Sequence, residues 1–344
     1  MIRFPPKLPR LRSTLRAILL PAAEALRLAA ARCGMATGAV NPPARRLAPD
    51  VACPARGFSG PGGVRLFMAL ADRDGRIDQG AAQVAQHGWT GFEPPLPAVL
   101  AAALRQWPGR VVDAGANSGF YTLLAASLPG CRQVIACEPD PDILALLRFN
   151  IACSRGGAPR VSRRASRRAS ARVSQRIVVR ALALSDRAGT AMLHLPDPGH
   201  GLVETSGSLD VALSVAVATA RLDDVVGDGP PVSVIKIDLE GHEPAVLRGG
   251  ERTIRHDRPL LFVEILPAAD LDFMERWLAA HHYADVPLLA AGPLGEAARV
   301  VFEPSAWNHA FVPRERLGRF LEIAGAVVGP DRTGADATPD NEAG

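Results

Sequence analysis

From about residue 97 onward, short apolar runs alternate with stretches whose apolar residues recur at helical spacing. Strands are predicted near 110–114, 133–137, 177–184, 232–238 and 260–265. Helices are predicted at 97–106 and near 118–128, 140–152, 243–253 and 270–281. A strand–helix alternation of this kind implies parallel strands joined by right-handed crossovers, so the expected fold class is α/β with a mostly parallel, doubly wound sheet. Glycines and prolines at 201–208 and 227–231 mark a longer loop region before the fourth strand. Upstream, residues 56–109 read as a mixed entry segment that ends in Gly91-Phe-Glu93-Pro-Pro and the first of these helices. Residues 1–55 are rich in Pro and Arg, and 321–344 are expected to form a disordered tail.

Two strand ends carry the candidate chemistry. At the first, Arg110-Val-Val-Asp113-Ala-Gly115-Ala-Asn117-Ser-Gly119-Phe-Tyr121 runs from an apolar strand through a glycine turn into a helix, and Glu138-Pro139 closes the next strand. Glycines let backbone approach a ligand, and an acid at the second strand end suits the hydroxyls of a ribose. The turn lacks the second and third glycines of a dinucleotide pyrophosphate site, which argues against a nicotinamide-dependent oxidoreductase. S-adenosylmethionine has no phosphate. Its cationic end could face Asp113, while the backbone of Gly115 to Gly119 accommodates the amino acid moiety.

The second strand end, Val232-Ser-Val-Ile-Lys236-Ile-Asp238-Leu-Glu240-Gly241-His242-Glu243, gathers ionisable groups where open α/β sheets build their sites. Asp238, Glu240 and His242, with Glu264 on the neighbouring strand, are candidates to orient an acceptor or take its proton. Such carboxylates also suit a divalent cation, but no ligand spacing demands one and no metal is expected. For Glu243, which precedes Pro244, the first turn of a helix is an equal explanation.

With Ala183-Leu-Ser185-Asp186, Arg221-Leu-Asp223-Asp224 and Phe262-Val-Glu264, these segments form an ordered set that resembles the FkbM-type S-adenosylmethionine-dependent methyltransferase family over roughly residues 92–312. The resemblance implies a class I, Rossmann-like fold within residues 56–320 and S-adenosylmethionine as cofactor. It implies cofactor contacts from Asp113, Gly115, Ala116, Asn117, Gly119, Phe120, Tyr121, Glu138, Pro139, Ser185, Asp186, Asp238, Glu240 and Gly241. Asp238, Lys236, His242 and Glu264 are the catalytic candidates, and the expected acceptor is a hydroxyl on a small molecule or glycan.

Charge changes the picture in two places. The net charge is +4, yet residues 1–46 carry nine Lys or Arg against Glu24 alone, and residues 160–176 carry seven Arg and no acid. The rest of the chain is left at about −11. The four-residue repeat from Ser162 to Ser170 reads as a solvated insertion. It could serve as an anion-binding strip, but no aromatic residue interleaves with its arginines, so nucleic acid is not the expected partner. A basic nucleic-acid-binding protein is the reading from a different class. The stretch from Leu11 to Ala31 is amphipathic but interrupted by Pro21, and suits a surface-lying helix, peripheral membrane contact or an added core helix. Five scattered cysteines, with neither a CxxC pair nor a Cys/His cluster, fit a reducing, cytoplasmic compartment. Among the cations only Lys7 and Lys236 are lysines, and a compact ammonium retained within the site strand points to a contact that arginine would not fit.

Overall fold

In a computed structural model, residues 55–61, 64–70, 77–156, 173–195, 202–203, 213–291 and 294–328 are described. The expectations for residues 1–54 and for the arginine repeat fall outside them. In chain order the strands are β1 (Ala55–Ser59), β2 (Arg65–Ala69), β3 (Ile77–Asp78), β4 (Gly109–Ala114), β5 (Cys131–Cys137), β6 (Ile177–Arg180) and β7 (Ala183–Ser185). They continue as β8 (Gly189–Leu195), β9 (Leu202–Val203), β10 (Leu213–Arg221), β11 (Val232–Ile237), β12 (Leu260–Glu264), β13 (Tyr283–Pro287) and β14 (Asn308–Pro313). The helices are α1 (Gln79–His87), α2 (Leu96–Gln106), α3 (Phe120–Ser127), α4 (Pro141–Gly156) and α5 (Leu222–Val226). After them come α6 (Glu243–Gly249), α7 (Glu251–Asp257), α8 (Leu271–His281) and α9 (Leu317–Val328).

Seven strands form one sheet in the order β13-β14-β12-β11-β4-β5-β6. β14 is antiparallel to both its neighbours, and the other pairs are parallel. From β4 the chain winds one way to β5 and β6, and from β11 the other way to β12. The strand order therefore reverses between β4 and β11, where a doubly wound sheet opens a crevice beyond its carboxyl ends. Both central strands are buried along their whole length, which explains why they read as continuous apolar runs. Side chains alternate between two cores. Val111, Val234 and Phe262 face α2, α3 and α9, while Val112, Ile235 and Val263 face α6, α7 and α8. Among the described residues no helix is long and apolar enough to cross a membrane.

The structure departs from the pattern reading in four places. The helix expected over 243–253 is two, α6 and α7, divided at Gly250. The predicted third strand is two strands: β6 ends the large sheet, whereas β7 pairs with β10 in a separate three-stranded sheet, so Ser185 and Asp186 do not end a strand of the main sheet. β10 also pairs antiparallel with β8 over seven residues, where only a strand end and loop were expected. The tail expected from residue 321 begins with helix, because α9 runs to Val328 and buries Phe320 and Ala324 completely in the core that includes α2.

The β1–β2 hairpin is held to the sheet domain by side chains of α4. Asn150 Oδ1 accepts from the Ala69 amide at 2.8 Å, while its Nδ2 donates to the Ser118 carbonyl at 2.8 Å, tying the hairpin to the glycine turn. Asn150 is fully buried, so its removal leaves two backbone groups unsatisfied. Asn150→Ala is expected to cost roughly 2–4 kcal/mol and to lower Tm by roughly 5–10 °C. Calorimetric melting of the full chain checks this, and an unchanged Tm would show that the hairpin is held by other contacts.

Candidate functional site

The glycine turn after β4 is shaped by three left-handed residues, Gly115 (φ +78°), Asn117 (φ +50°) and Gly119 (φ +100°). A Cβ on Gly115 would lie 2.0 Å from the Asp238 carbonyl oxygen, so this glycine lets the turn after β4 pass directly against the end of β11. Asn117 closes the turn by accepting the Ser118 amide at 2.6 Å on its own side-chain oxygen, a local bond that makes Asn tolerant of this conformation. Glu138, buried at the end of β5, accepts the Asn117 amide at 2.8 Å on Oε2 and the Asp140 amide at 2.9 Å on Oε1. Burial pushes this carboxyl up to about 7 despite those two amides.

Asp113 is 1% exposed. Its Oδ2 accepts from the Thr122 hydroxyl at 2.6 Å, and its Oδ1 has no partner. Burial raises its carboxyl above the ordinary value, against the pull of the Lys236 ammonium. Lys236 stands opposite Asp113 in the β11–β4 register and donates from Nζ to Asp238 Oδ2 at 2.6 Å. Burial works against the Lys236 charge, but Asp238, Glu93 and Asp113 hold its ammonium above the ordinary lysine value. Asp238 moves the other way. Burial would raise it, yet the Lys236 charge and hydrogen bonds from Lys236 and Glu264 keep it below the usual carboxylate range.

Glu264 ends β12 beside Asp238. Burial first, and then the Asp238 charge, push its carboxyl up to about 9, which favours it as the protonated member of the pair, while its buried Oε2 has no hydrogen-bond partner. Exposed Glu240, at φ +53°, is pushed up to about 7 by desolvation and by the carboxylates of Asp238 and Glu243. Asp238, Glu240 and Glu264 present oxygens within 4.8 Å of one another. A divalent cation takes such donors, and in its absence a proton on Glu264 lowers the repulsion with Asp238.

Other candidates lie apart from this trio. His242 Nε2 is 3.0 Å from Ser185 Oγ, so the imidazole meets the end of β7. Ser185 also donates to Asp186 Oδ1 at 3.3 Å. Glu243 accepts the Leu239 and Gly241 amides at 3.1 Å each and fixes the loop after β11, with Gly241 at φ +101°. Phe120 packs edge-on against Phe92 and Tyr121, with ring centroids 4.8 and 4.9 Å away. Ala116, Phe120 and Tyr121 are buried, with the Ala116 amide donating to the Cys137 carbonyl at 2.9 Å, whereas Pro139 is half-buried beside Glu138.

One site residue went unrecognised in the sequence. Glu93 accepts from the Tyr121 hydroxyl at 2.8 Å and from Asn308 Nδ2 at 3.5 Å, while the Tyr121 ring centroid lies 4.7 Å from Lys236 Nζ. Burial raises the Glu93 carboxyl, and the Lys236 charge lowers it. The signal available was an acid set between Phe92 and two prolines just before the first helix of the alternating region.

The model of the FkbM methyltransferase domain matches residues 113–284, half of the chain, from the Asp113 strand end past Glu264. The chain belongs to this family. As an FkbM-family chain it has S-adenosylmethionine as its cofactor, and the residues present fit it: Asp113 keeps a buried oxygen unpaired, and each oxygen of Glu138, holding one amide, retains a free lone pair. Among solved structures, the chain is similar to the FkbM methyltransferase of Methylobacillus flagellatus, with 18% identity and a TM-score of 0.39. That alignment covers 59% of this chain and 43% of the other, so it spans less than half of the Methylobacillus protein. It is also similar to a Bacillus cereus O-methyltransferase in complex with SAH, with 14% identity, 64% and 81% coverage and a TM-score of 0.35. A third is TrmK from M. capricolum in complex with S-adenosyl-homocysteine, with 9% identity, 62% and 65% coverage and a TM-score of 0.30. No curated protein matches the chain.

Glu138 gives the site a stability signature. Its ordinary value of 4.5 applies to the unfolded chain, and about 7 to the folded one. Below 4.5 it is protonated in both states. As pH rises from there to about 7, the unfolded chain releases the proton first and this contribution to stability is lost. Relative to Glu138→Gln, the ligand-free parent is expected to lose roughly 3 kcal/mol between pH 4.5 and pH 8. Urea unfolding of both proteins across that window measures the difference. A pH-independent difference would show that Glu138 is not desolvated in the folded chain.

Proposed function

We propose that the chain transfers the methyl group of S-adenosylmethionine to a hydroxyl on a small molecule or glycan. The observation that carries this reading is the crowd of carboxylates at the ends of β11 and β12, beside the glycine turn. A hydroxyl must shed a proton as it gains a methyl, and Glu240, pushed up to about 7 at the exposed rim, has the proton affinity for that task near neutral pH. Asp238, kept ionised by Lys236, is a directional acceptor that orients the hydroxyl. Glu264 holds a proton on Asp238 and limits the negative charge the crevice must carry.

The bound cofactor supplies an electrophilic methyl on a sulfonium. Asp113 and the backbone of the turn would hold its amino acid end, Glu138 its ribose hydroxyls, and Ser185 and Asp186 its adenine edge. Lys236 keeps Asp238 in place beside that group.

Titration calorimetry with S-adenosylhomocysteine is expected to show binding that Glu138→Ala weakens by about 1.5–3 kcal/mol, the worth of hydrogen bonds to a charged group. On the best alcohol from a panel of hydroxylated glycans and polyketide-like compounds, Asp238→Asn is expected to keep cofactor affinity and lose roughly 10²-fold in single-turnover rate. Full activity of Asp238→Asn would remove Asp238 from the reaction, and no binding of S-adenosylhomocysteine would sink the reading as a whole.

A further inference from the structure

Five described non-glycine residues have left-handed backbone: Glu93, Asn117, Glu240, Arg258 and His282. Arg258 and His282 are helix C-caps, where that conformation is ordinary. The other three surround the crevice, and Asn117 and Glu240 already have roles there. Glu93, at φ +46°, combines the unfavourable backbone with a desolvated carboxyl. A residue kept in such a state needs a return from its surroundings, and such residues gather at working sites. Its visible contacts lead in one direction. The Glu93 carboxylate receives the Tyr121 hydroxyl at 2.8 Å, Lys236 Nζ lies 4.7 Å from the Tyr121 ring centroid, and the same Nζ donates to Asp238 at 2.6 Å. Asn308, from β14, donates to the same carboxylate oxygen at 3.5 Å. The segment before α2, the first turn of α3, and strands β11 and β14 thus meet on one acid.

We propose that Glu93 is a positioning residue for the transfer, fixing through Tyr121 the place of the Lys236 ammonium on Asp238. The flexible lysine stem otherwise has several carboxylates to choose from, since Asp113 and Glu93 attract it as well as Asp238. A tyrosine ring clamped by its hydroxyl removes that freedom by holding its face against the ammonium. The kinetic consequence rests on the methyl-transfer reading, whereas the link itself does not.

The chain's lysine content makes the link observable, because Lys7 and Lys236 are its only lysines. In full-length protein labelled with 13C at lysine Cε, the Lys236 signal should be displaced by the Tyr121 ring current, and Tyr121→Leu identifies it by abolishing the displacement. Glu93→Ala should shift this signal toward that of a free lysine and reduce single-turnover methylation by about tenfold to a hundredfold, as misplacement of a reacting group does. Affinity for S-adenosylhomocysteine should stay within about threefold, since Glu93 touches none of the residues assigned to the cofactor's ribose or adenine. Glu93→Gln retains an oxygen for the Tyr121 hydroxyl and should restore both signal and rate. If Glu93→Ala fails to fold, Tyr121→Phe cuts the same link while retaining the ring, and should displace the Lys236 signal in the same way. An unmoved signal in Glu93→Ala or Tyr121→Phe, or no rescue by Glu93→Gln, overturns the proposal. If the parent chain methylates no alcohol, the functional reading fails while the resonance comparison still decides the role of Glu93.

Discussion

A single buried ammonium organises the crevice. Lys236 lies in the central strand of the sheet with 3% of its surface exposed, and an unpaired charge at that depth would cost several kcal/mol. Its 2.6 Å bond to Asp238 offsets that cost, and the carboxylates of Asp113 and Glu93 add to the offset. Removing the ammonium would leave several buried acids with no cation among them. Each would then have to take up a proton or water, so the shape of the crevice follows from this one charge.

The same charge accounts for the division of labour among the acids. Asp238 touches the ammonium and remains ionised, whereas Glu264 touches Asp238 and takes the proton. Two carboxylates in contact cannot both ionise cheaply, so the one nearer the cation keeps the charge. Glu240, at the exposed rim, is raised by desolvation and then by the charges of Asp238 and Glu243, while still open to solvent.

What could be read in the sequence was local. The Asp113 turn, Glu138 and the segment from Lys236 to Glu243 each form a contiguous motif, and a strand, a turn and a helix start are encoded within a dozen residues. Glu93 was illegible because its hydrogen-bond partners in the site, Tyr121 and Asn308, are 28 and 215 residues away. Ser185 was placed on the wrong sheet for a related reason. The chain breaks for only two residues between β6 and β7, too short an interruption for apolar periodicity to register. The β8–β10 pairing brings together strands with a long polar and glycine-containing segment between them, so neither its partner nor its direction could be deduced from local signals. α9 lacks charged residues beyond Arg319 and Glu322, yet its apolar face finds α2 only after the sheet has formed.

The sign of the charge in the crevice separates the candidate ligand classes. Asp113, Asp238, Glu240 and Glu264 share Lys236 as a buried cation at the strand ends, Glu138 stands at the end of β5, and burial has already raised four of the five carboxyls. A dinucleotide would bring two phosphates to the turn after β4, facing an unpaired Asp113 oxygen, and a nucleic acid would bring one charge per nucleotide. Either would add anions to a site that is protonating its own acids to reduce them. A sulfonium does the reverse: its positive charge repays the desolvation of acids that have too few cations. The arginine-rich segments at 1–46 and 160–176 lie outside the family match or between its motifs, so the basic net charge of the chain says little about what the crevice holds. The local balance bears on it more directly, and that balance favours a cationic donor.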